Sequence, residues 1–122
     1  MIGTNNTGHR LHQPEYTAEG VRQIVELLKT KLENTKILLL AVFPREAQAD
    51  AQMRLINEEI NAKISTLADG NRVHFLNINA KFLADDGSLS QEIMPDLLHL
   101  NEQGYRIWAD AMEPKLAELL AE

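Results

Sequence analysis

Asp96 and His99 stand three residues apart in the segment Asp96-Leu97-Leu98-His99, and this spacing suits acid–base chemistry. A carboxylate three residues before an imidazole can hold one ring nitrogen while the other nitrogen takes a proton from a nucleophile. Imidazole changes charge near neutral pH, so it can accept a hydroxyl proton and later return it to a leaving alcohol. The alternative interpretation is a surface histidine near a helix start, with Asp96 as a turn carboxylate after Pro95.

A nucleophile for this pair is not evident in the chain. Cysteine is absent, which also excludes disulfides and thiolate metal sites. Ser65, Ser88 and Ser90 lack the tight strand-to-helix elbow that exposes a nucleophilic hydroxyl, and the last two are interpreted as turn residues. The sequence therefore predicts a base and the carboxylate that orients it, without the group that they would activate.

Three segments resemble the blocks of one hydrolase family, and the resemblance extends over essentially the whole chain. They are Gly3-Thr4-Asn5-Asn6, the run from Leu38 to Arg45, and Asp96-Leu97-Leu98-His99-Leu100. Each is unspecific alone, but their order and spacing resemble the SGNH (GDSL-like) esterases and lipases, in particular the platelet-activating-factor acetylhydrolase catalytic-subunit type. Asn6 departs from the aspartate that is usual in the family.

The resemblance implies a role for each matching residue. His99 is expected to be the general base and Asp96 the carboxylate that orients it, while the side-chain amide of Asn5 donates to the oxyanion that forms on an ester carbonyl. Without the resemblance, Asn5 would be interpreted as an ordinary loop asparagine.

Gly3, Thr4 and Asn6 complete the motif loop, with Gly3 needed for the turn rather than for chemistry. The family's Gly-Asp-Ser block and a second oxyanion-hole glycine would precede Met1. Residues 1–122 are therefore expected to form an N-terminally truncated SGNH hydrolase-type esterase domain, without a nucleophile. The parent is expected to hydrolyse small O-acyl esters, acetyl esters foremost, by serine catalysis without a cofactor.

Apolar periodicity predicts the elements that position these residues. In chain order they are a helix capped by Thr17 and ending before Asn34, a doubly buried strand over Ile37–Phe43, a helix with a stripe from Met53 to Leu67, a strand over Val73–Ile78, and a helix capped by Asn101. Turns are predicted at 69–71 and 85–88, where glycine follows aspartate. Pro114 is expected to break or kink the last helix.

Alternating strands and helices predict an α/β fold with a parallel sheet and right-handed crossovers, and the motifs are expected at the carboxyl ends of its strands. The resemblance implies the three-layer α/β/α flavodoxin-like SGNH hydrolase fold, here its C-terminal half. Half a sheet would expose an unpaired edge, so the isolated chain is expected to self-associate, to bind a partner chain through that edge, or to fold poorly. A monodisperse monomer that melts cooperatively would contradict this expectation.

Composition limits the remaining function classes. The chain has 122 residues and a net charge of −6, which argues against a nucleic-acid surface. The longest apolar run, Ile37–Phe43, is too short to span a bilayer. A signal peptide could have preceded Met1, so the sequence leaves the compartment open. His9 and His12 have helical spacing but no evident third ligand, so no metal site is predicted.

Two further classes stay open from the sequence. The chain could be a non-catalytic interaction protein that uses its sheet edge to bind another chain, and its solution size would show this. It could also be an unrelated flavodoxin-like ligand binder, although no glycine-rich phosphate loop supports that interpretation. A nucleotide or flavin retained through purification would favour the ligand binder.

Overall fold

The computed structural model describes residues 2–10 and 12–121. Its helices and strands, in chain order, are α1 (Thr4–Arg10), α2 (Pro14–Lys31), β1 (Ile37–Leu40), α3 (Gln52–Ser65), β2 (Val73–Leu76) and α4 (Glu102–Ala121), with a 3₁₀ turn at Asn79–Lys81. Within the described residues, no helix has both the length and the apolar character needed to cross a membrane.

Contacts between residues that lie close in space divide the chain into two compact units. The first consists of Met1–Val42 and Ile56–Leu76, and the second of Phe43–Leu55 and Asn77–Glu122. The sheet and the motif segment 3–6 therefore belong to the first unit, whereas Asp96 and His99 belong to the second.

The sheet of the first unit is parallel, as the sequence predicts. β1 pairs with β2 in a register that matches Ile37 with Val73 and Leu40 with Leu76. A parallel pair needs a crossover connection, and α3 supplies it. Within the described part of the chain each strand pairs only with the other, and the prediction of association through a sheet edge stays a prediction.

Both strands are shorter than predicted, and β1 is half-buried rather than fully buried. The ladder ends where the Ala41 N–H donates to the Leu76 carbonyl at 3.0 Å. At Val42 a side chain replaces a neighbouring strand: Asn61 Oδ1 accepts the Val42 N–H at 2.7 Å, and Asn61 Nδ2 donates to the Val42 carbonyl at 2.9 Å. The second half of the predicted strand, after Leu40, therefore lies outside the sheet.

The two periodic helices of the first unit pack as their spacing predicts. Their buried apolar residues form one core with β2 and the end of β1: Val21, Val25, Val42, Ile60, Ile64 and Val73. The predicted cap at Thr17 is wrong. The helix begins at Pro14, whose fixed φ suits a first helical position, and Thr17 is buried inside α2 with 6% of its surface exposed.

The second unit contains α4, which begins as predicted but does not break. Asn101 Oδ1 accepts the Gly104 N–H at 3.0 Å, so it caps the helix. Of the two outcomes predicted at Pro114, a break is wrong, because α4 continues to Ala121, and a kink stays a prediction. Pro114 and Asp110 are both exposed, so water can bind the Asp110 carbonyl that lacks its helical donor.

The apolar spacing of α4 predicts a buried face, but most of its residues are half-buried and only Leu119 is buried, at 8% exposure: Ile107, Trp108, Ala111, Leu116 and Leu119. Aromatic packing supplies much of this unit's core. Phe43 lies 4.9 Å from Phe82 and 5.0 Å from Trp108 between ring centroids, the latter edge to face.

Candidate active site

Asp96 and His99 meet in the irregular segment that precedes α4. Asp96 Oδ2 lies 2.6 Å from His99 Nδ1, and Asp96 Oδ1 accepts the N–H groups of Leu98 at 3.1 Å and His99 at 2.7 Å. Both carboxylate oxygens are therefore engaged by the same short turn. An ionised carboxylate only accepts hydrogen bonds, so Nδ1 carries the proton in this contact.

The second imidazole nitrogen of His99 is available for chemistry. Within residues 2–10 and 12–121, Nε2 has no hydrogen-bond partner, and 78% of the His99 side chain is exposed. With Nδ1 protonated, Nε2 of the neutral ring presents its lone pair and can accept a proton. The arrangement matches the base-and-orienter geometry in which the carboxylate selects the tautomer.

The pKa of the Asp96 carboxyl is lowered from 3.8 to about 2. The hydrogen bond from the His99 side chain is the largest cause, and the backbone N–H of His99 adds to it. Because the pair is largely exposed, solvent screens the attraction, so the contact orients the ring and adds only a small amount to the stability of the fold.

We expect the Asp96–His99 contact to survive well into the acid range. A carboxyl whose pKa is lower in the folded protein than in the unfolded chain stabilises the fold above the unfolded value. That contribution should disappear as the pH falls from 3.8 to about 2. The carboxyl ¹³C shift of Asp96, followed by NMR into strong acid, measures the midpoint.

The control for this titration is His99→Ala. It removes the side-chain hydrogen bond that is the largest cause of the lowered Asp96 pKa, so the Asp96 midpoint should rise toward 3.8. A wild-type midpoint already near 3.8 would contradict the contact.

Leu97, between the two residues, has an unusual backbone conformation. Its φ is +58°, a region that bulky residues rarely adopt. The Leu97 N–H donates to the Met94 carbonyl at 2.8 Å, and the Leu97 carbonyl accepts the Glu46 N–H at 3.0 Å. Glu46 itself has a φ of +61°. Neither position holds a glycine or an asparagine, the residue types from which a positive φ could have been predicted.

The start of α4 closes the same segment from the other side. Asn101 donates its N–H to the Ile93 carbonyl at 3.0 Å and its Nδ2 to the Glu92 carbonyl at 2.7 Å. Gly104 makes the close approach possible, because a Cβ at that position would lie 2.6 Å from Leu100 Cδ2 and 3.0 Å from the Ile93 carbonyl oxygen. The cap residue and this glycine thus hold the segment that carries the pair.

The motif Gly3-Thr4-Asn5-Asn6 lies in the first unit and is the start of a helix rather than a loop. Gly3 has a φ of +104°, and a Cβ there would lie 3.1 Å from Val42 Cγ2. Its carbonyl accepts the Asn6 N–H at 3.1 Å, so the turn leads directly into α1. Asn5 is exposed in the first turn, and Asn6 Nδ2 lies 3.2 Å from His12 Nδ1.

A buried polar contact that the sequence did not reveal holds α1 in the first unit. Thr7 Oγ1 donates to Asn57 Oδ1 at 2.8 Å, and the two residues are 0% and 1% exposed. Asn57 and Asn61 stand four residues apart on α3, so the same face of that helix reaches both α1 and the end of β1. In the sequence, the available signal for these contacts was the spacing of two asparagines four residues apart, Asn57 and Asn61.

The remaining sequence candidates have other contacts. Ser65 Oγ donates to the Ala62 carbonyl, and Ser90 Oγ accepts the Glu92 N–H. His74 Nε2 lies 3.0 Å from the Asn71 carbonyl oxygen. The described residues contain no cluster of three metal-binding side chains, and the side chain of His9 lies outside the described residues.

Comparisons with known proteins identify one family. The model of the GDSL-like Lipase/Acylhydrolase family matches residues 1–107. The chain is 33% identical to the human platelet-activating factor acetylhydrolase IB subunit alpha1, a match covering 99% of this chain and 51% of that protein. It is 30% identical to subunit alpha2 of Gallus gallus, covering 52% of that protein. The chain thus spans about half the length of the curated relatives it matches.

A solved structure shares the fold. A chain from Streptococcus pneumonia described as a platelet activating factor superposes with a TM-score of 0.80 at 24% identity, over 95% of this chain and 57% of that one. This match supports the α/β fold with a parallel sheet expected for SGNH hydrolases.

Proposed function

This chain belongs to the GDSL-like lipase/acylhydrolase family, and we propose that it provides the histidine and carboxylate of a serine esterase. The observation that carries the proposal is the 2.6 Å contact between Asp96 Oδ2 and His99 Nδ1. It leaves Nε2 of an exposed imidazole as the proton acceptor.

The proposed reaction is acyl transfer through a covalent intermediate. A serine hydroxyl from the parent attacks the ester carbonyl as its proton passes to His99 Nε2, and a tetrahedral oxyanion forms. When the intermediate collapses, the leaving alkoxide takes the proton from Nε2. Water then attacks the acyl-serine with His99 again as base, which releases the carboxylic acid and the free serine.

Asp96 and Asn5 have supporting roles in this proposal. Asp96 holds the Nδ1–H tautomer and stabilises the imidazolium that forms twice per turnover. Asn5 is the oxyanion donor by its place in the family motif, and its exposure in the first turn of α1 leaves its amide accessible.

The serines of the chain itself do not complete this machinery. Ser65 Oγ and Ser90 Oγ bond to nearby backbone groups, and within the described part of the second unit neither Ser88 nor Ser90 makes a hydrogen bond to His99. Members of a catalytic triad act as a unit, so removal of the nucleophile leaves only binding and oxyanion contacts. We therefore expect negligible turnover from residues 1–122 alone.

The proposed substrates are small O-acyl esters, with acetyl esters foremost. The relatives that match are named acetylhydrolases, and this is the support for the acyl group. The alcohol part of the ester is left open by the same comparison.

An acyl-chain series tests the proposal. The native gene product, purified from its source cells, should hydrolyse p-nitrophenyl acetate with a kcat/KM roughly tenfold or more above that for the octanoate, since excess methylenes do not fit a small acyl pocket. A fluorophosphonate that labels its serine should abolish the activity. Absence of ester hydrolysis by the native product would overturn the proposal. Robust hydrolysis by residues 1–122 would overturn the expected inactivity of the chain alone.

A further inference from the structure

We propose that Arg54 is a positioning residue for the Asp96–His99 pair, acting through the carbonyl groups of the loop that holds Leu97. The inference rests on the proposed function only in treating the pair as catalytic. All the residues involved lie in the second unit.

Arg54 is a buried cation that bonds to backbone carbonyls. It is 2% exposed, and its Nε donates to the Arg45 carbonyl at 2.9 Å. Its Nη2 donates to the Glu46 carbonyl at 2.6 Å, and its Nη1 to the Gly87 carbonyl at 3.1 Å. Burial of a guanidinium is costly unless its donors are engaged, and charged donors make strong bonds to carbonyl groups.

Glu46 connects the guanidinium to the segment before α4. Its carbonyl accepts from Arg54, while its N–H donates to the Leu97 carbonyl at 3.0 Å. Its side chain also accepts the Met53 N–H at 3.1 Å, at the start of the helix that carries Arg54. Glu46 is therefore held on both sides of its positive φ, and its N–H is directed at Leu97.

Leu97 transmits this constraint to the pair. Its φ of +58° turns the chain so that the next two N–H groups reach Asp96 Oδ1 and the His99 ring reaches Asp96 Oδ2. A leucine does not hold this conformation without support from its surroundings. The bond from Glu46 supplies that support, and Arg54 fixes Glu46.

The chemistry of the guanidinium explains why arginine is needed at position 54. Its planar fork reaches carbonyls in two segments, residues 45–46 and Gly87, at the same time. A lysine would keep the charge but presents one compact ammonium group, so it cannot span the same set. Arg54→Lys therefore removes the fork while retaining the cation.

The test measures the geometry of the pair without turnover. In full-length Arg54→Lys, the pKa of the Asp96 carboxyl should rise from about 2 toward 3.8, measured by ¹³C NMR, because His99 no longer holds its position. The pKa of Glu19, which is lowered to about 2 by Arg22 in the first unit, should not move. The matched control is Arg106→Lys, an exposed arginine paired with Glu102, which should leave Asp96 unchanged.

A rescue variant separates positioning from general stability. Leu97→Gly in the Arg54→Lys background removes the side-chain penalty of the positive φ, so it should return the Asp96 pKa part of the way toward about 2. A purely structural Arg54 would lower the melting temperature and leave the Asp96 pKa where it is. A folded Arg54→Lys protein with an Asp96 pKa still near 2 would overturn the proposal.

If Arg54→Lys does not fold, the wild-type protein decides. Two observations together would support the proposal. The first is a scalar coupling across the hydrogen bond between the Glu46 N–H and the Leu97 carbonyl. The second is hydrogen exchange of the Glu46 amide, the His99 amide and Arg54 Nε–H in one common opening. Absence of that coupling, or independent opening of the two amides, would overturn it. Because none of these measurements uses an ester, failure of the proposed esterase function would be seen separately.

Discussion

Replacement of His99 by alanine in the native gene product is expected to lower kcat for acetyl ester hydrolysis by roughly 10⁴- to 10⁶-fold. The reason is the loss of the only proton acceptor that the structure places against a carboxylate in the described residues. The serine hydroxyl must then attack without a positioned base, and its proton passes to water instead. Steady-state kinetics with p-nitrophenyl acetate measures the loss.

Two companion variants make this result specific. Asp96→Asn keeps the size of the side chain but can favour the wrong tautomer of the ring, so a loss of roughly 10⁴-fold is expected with little change in KM. His74→Ala removes a histidine whose Nε2 contacts the Asn71 carbonyl and should retain activity. A His99→Ala protein with more than about a tenth of the wild-type kcat would contradict the assignment of the base.

Asn61→Leu is expected to lower the free energy of unfolding by roughly 2–5 kcal/mol. Asn61 is 5% exposed, and its amide serves both the N–H and the carbonyl of Val42. Leucine has a similar volume, so the loss arises from two buried peptide groups that no longer have these partners rather than from a cavity.

Urea unfolding followed by circular dichroism measures this change as a shift in midpoint at constant slope. The matched control is Asn34→Leu, an exposed asparagine between α2 and β1, which should change the unfolding free energy by less than about 0.5 kcal/mol. An Asn61→Leu protein as stable as the control would show that the side chain is not a substitute for strand pairing.

Regular elements with a strong periodic pattern could be predicted because their cause is local. Val21 and Val25 bury one face of α2, and Ile60 and Ile64 bury one face of α3, since residues four apart share a helix face. The parallel pairing of β1 with β2 follows from two short apolar runs separated by a helix. The Asp69–Gly70 and Asp86–Gly87 turns are equally local, with positive φ at both glycines.

Element ends were harder to predict because contacts distant in sequence decide them. The ladder bonds of β1 end before Val42, where an asparagine 19 residues further along takes the backbone groups of that residue. Thr17 has the chemistry of a helix cap, yet packing places it inside the first unit's core. Local propensity is a weak guide wherever a tertiary contact can satisfy the same groups.

For the site, the sequence by itself determined that Asp96 and His99 would be neighbours, because three residues in a turn bring a carboxylate to an imidazole. Only the tertiary structure decided which ring nitrogen faces outward and what holds the turn. The backbone at Glu46 and Leu97 has positive φ that neither residue type favours. Arg54 bonds to the Glu46 carbonyl, and the Glu46 N–H bonds to the Leu97 carbonyl far along the chain, so residue spacing alone does not reveal this support.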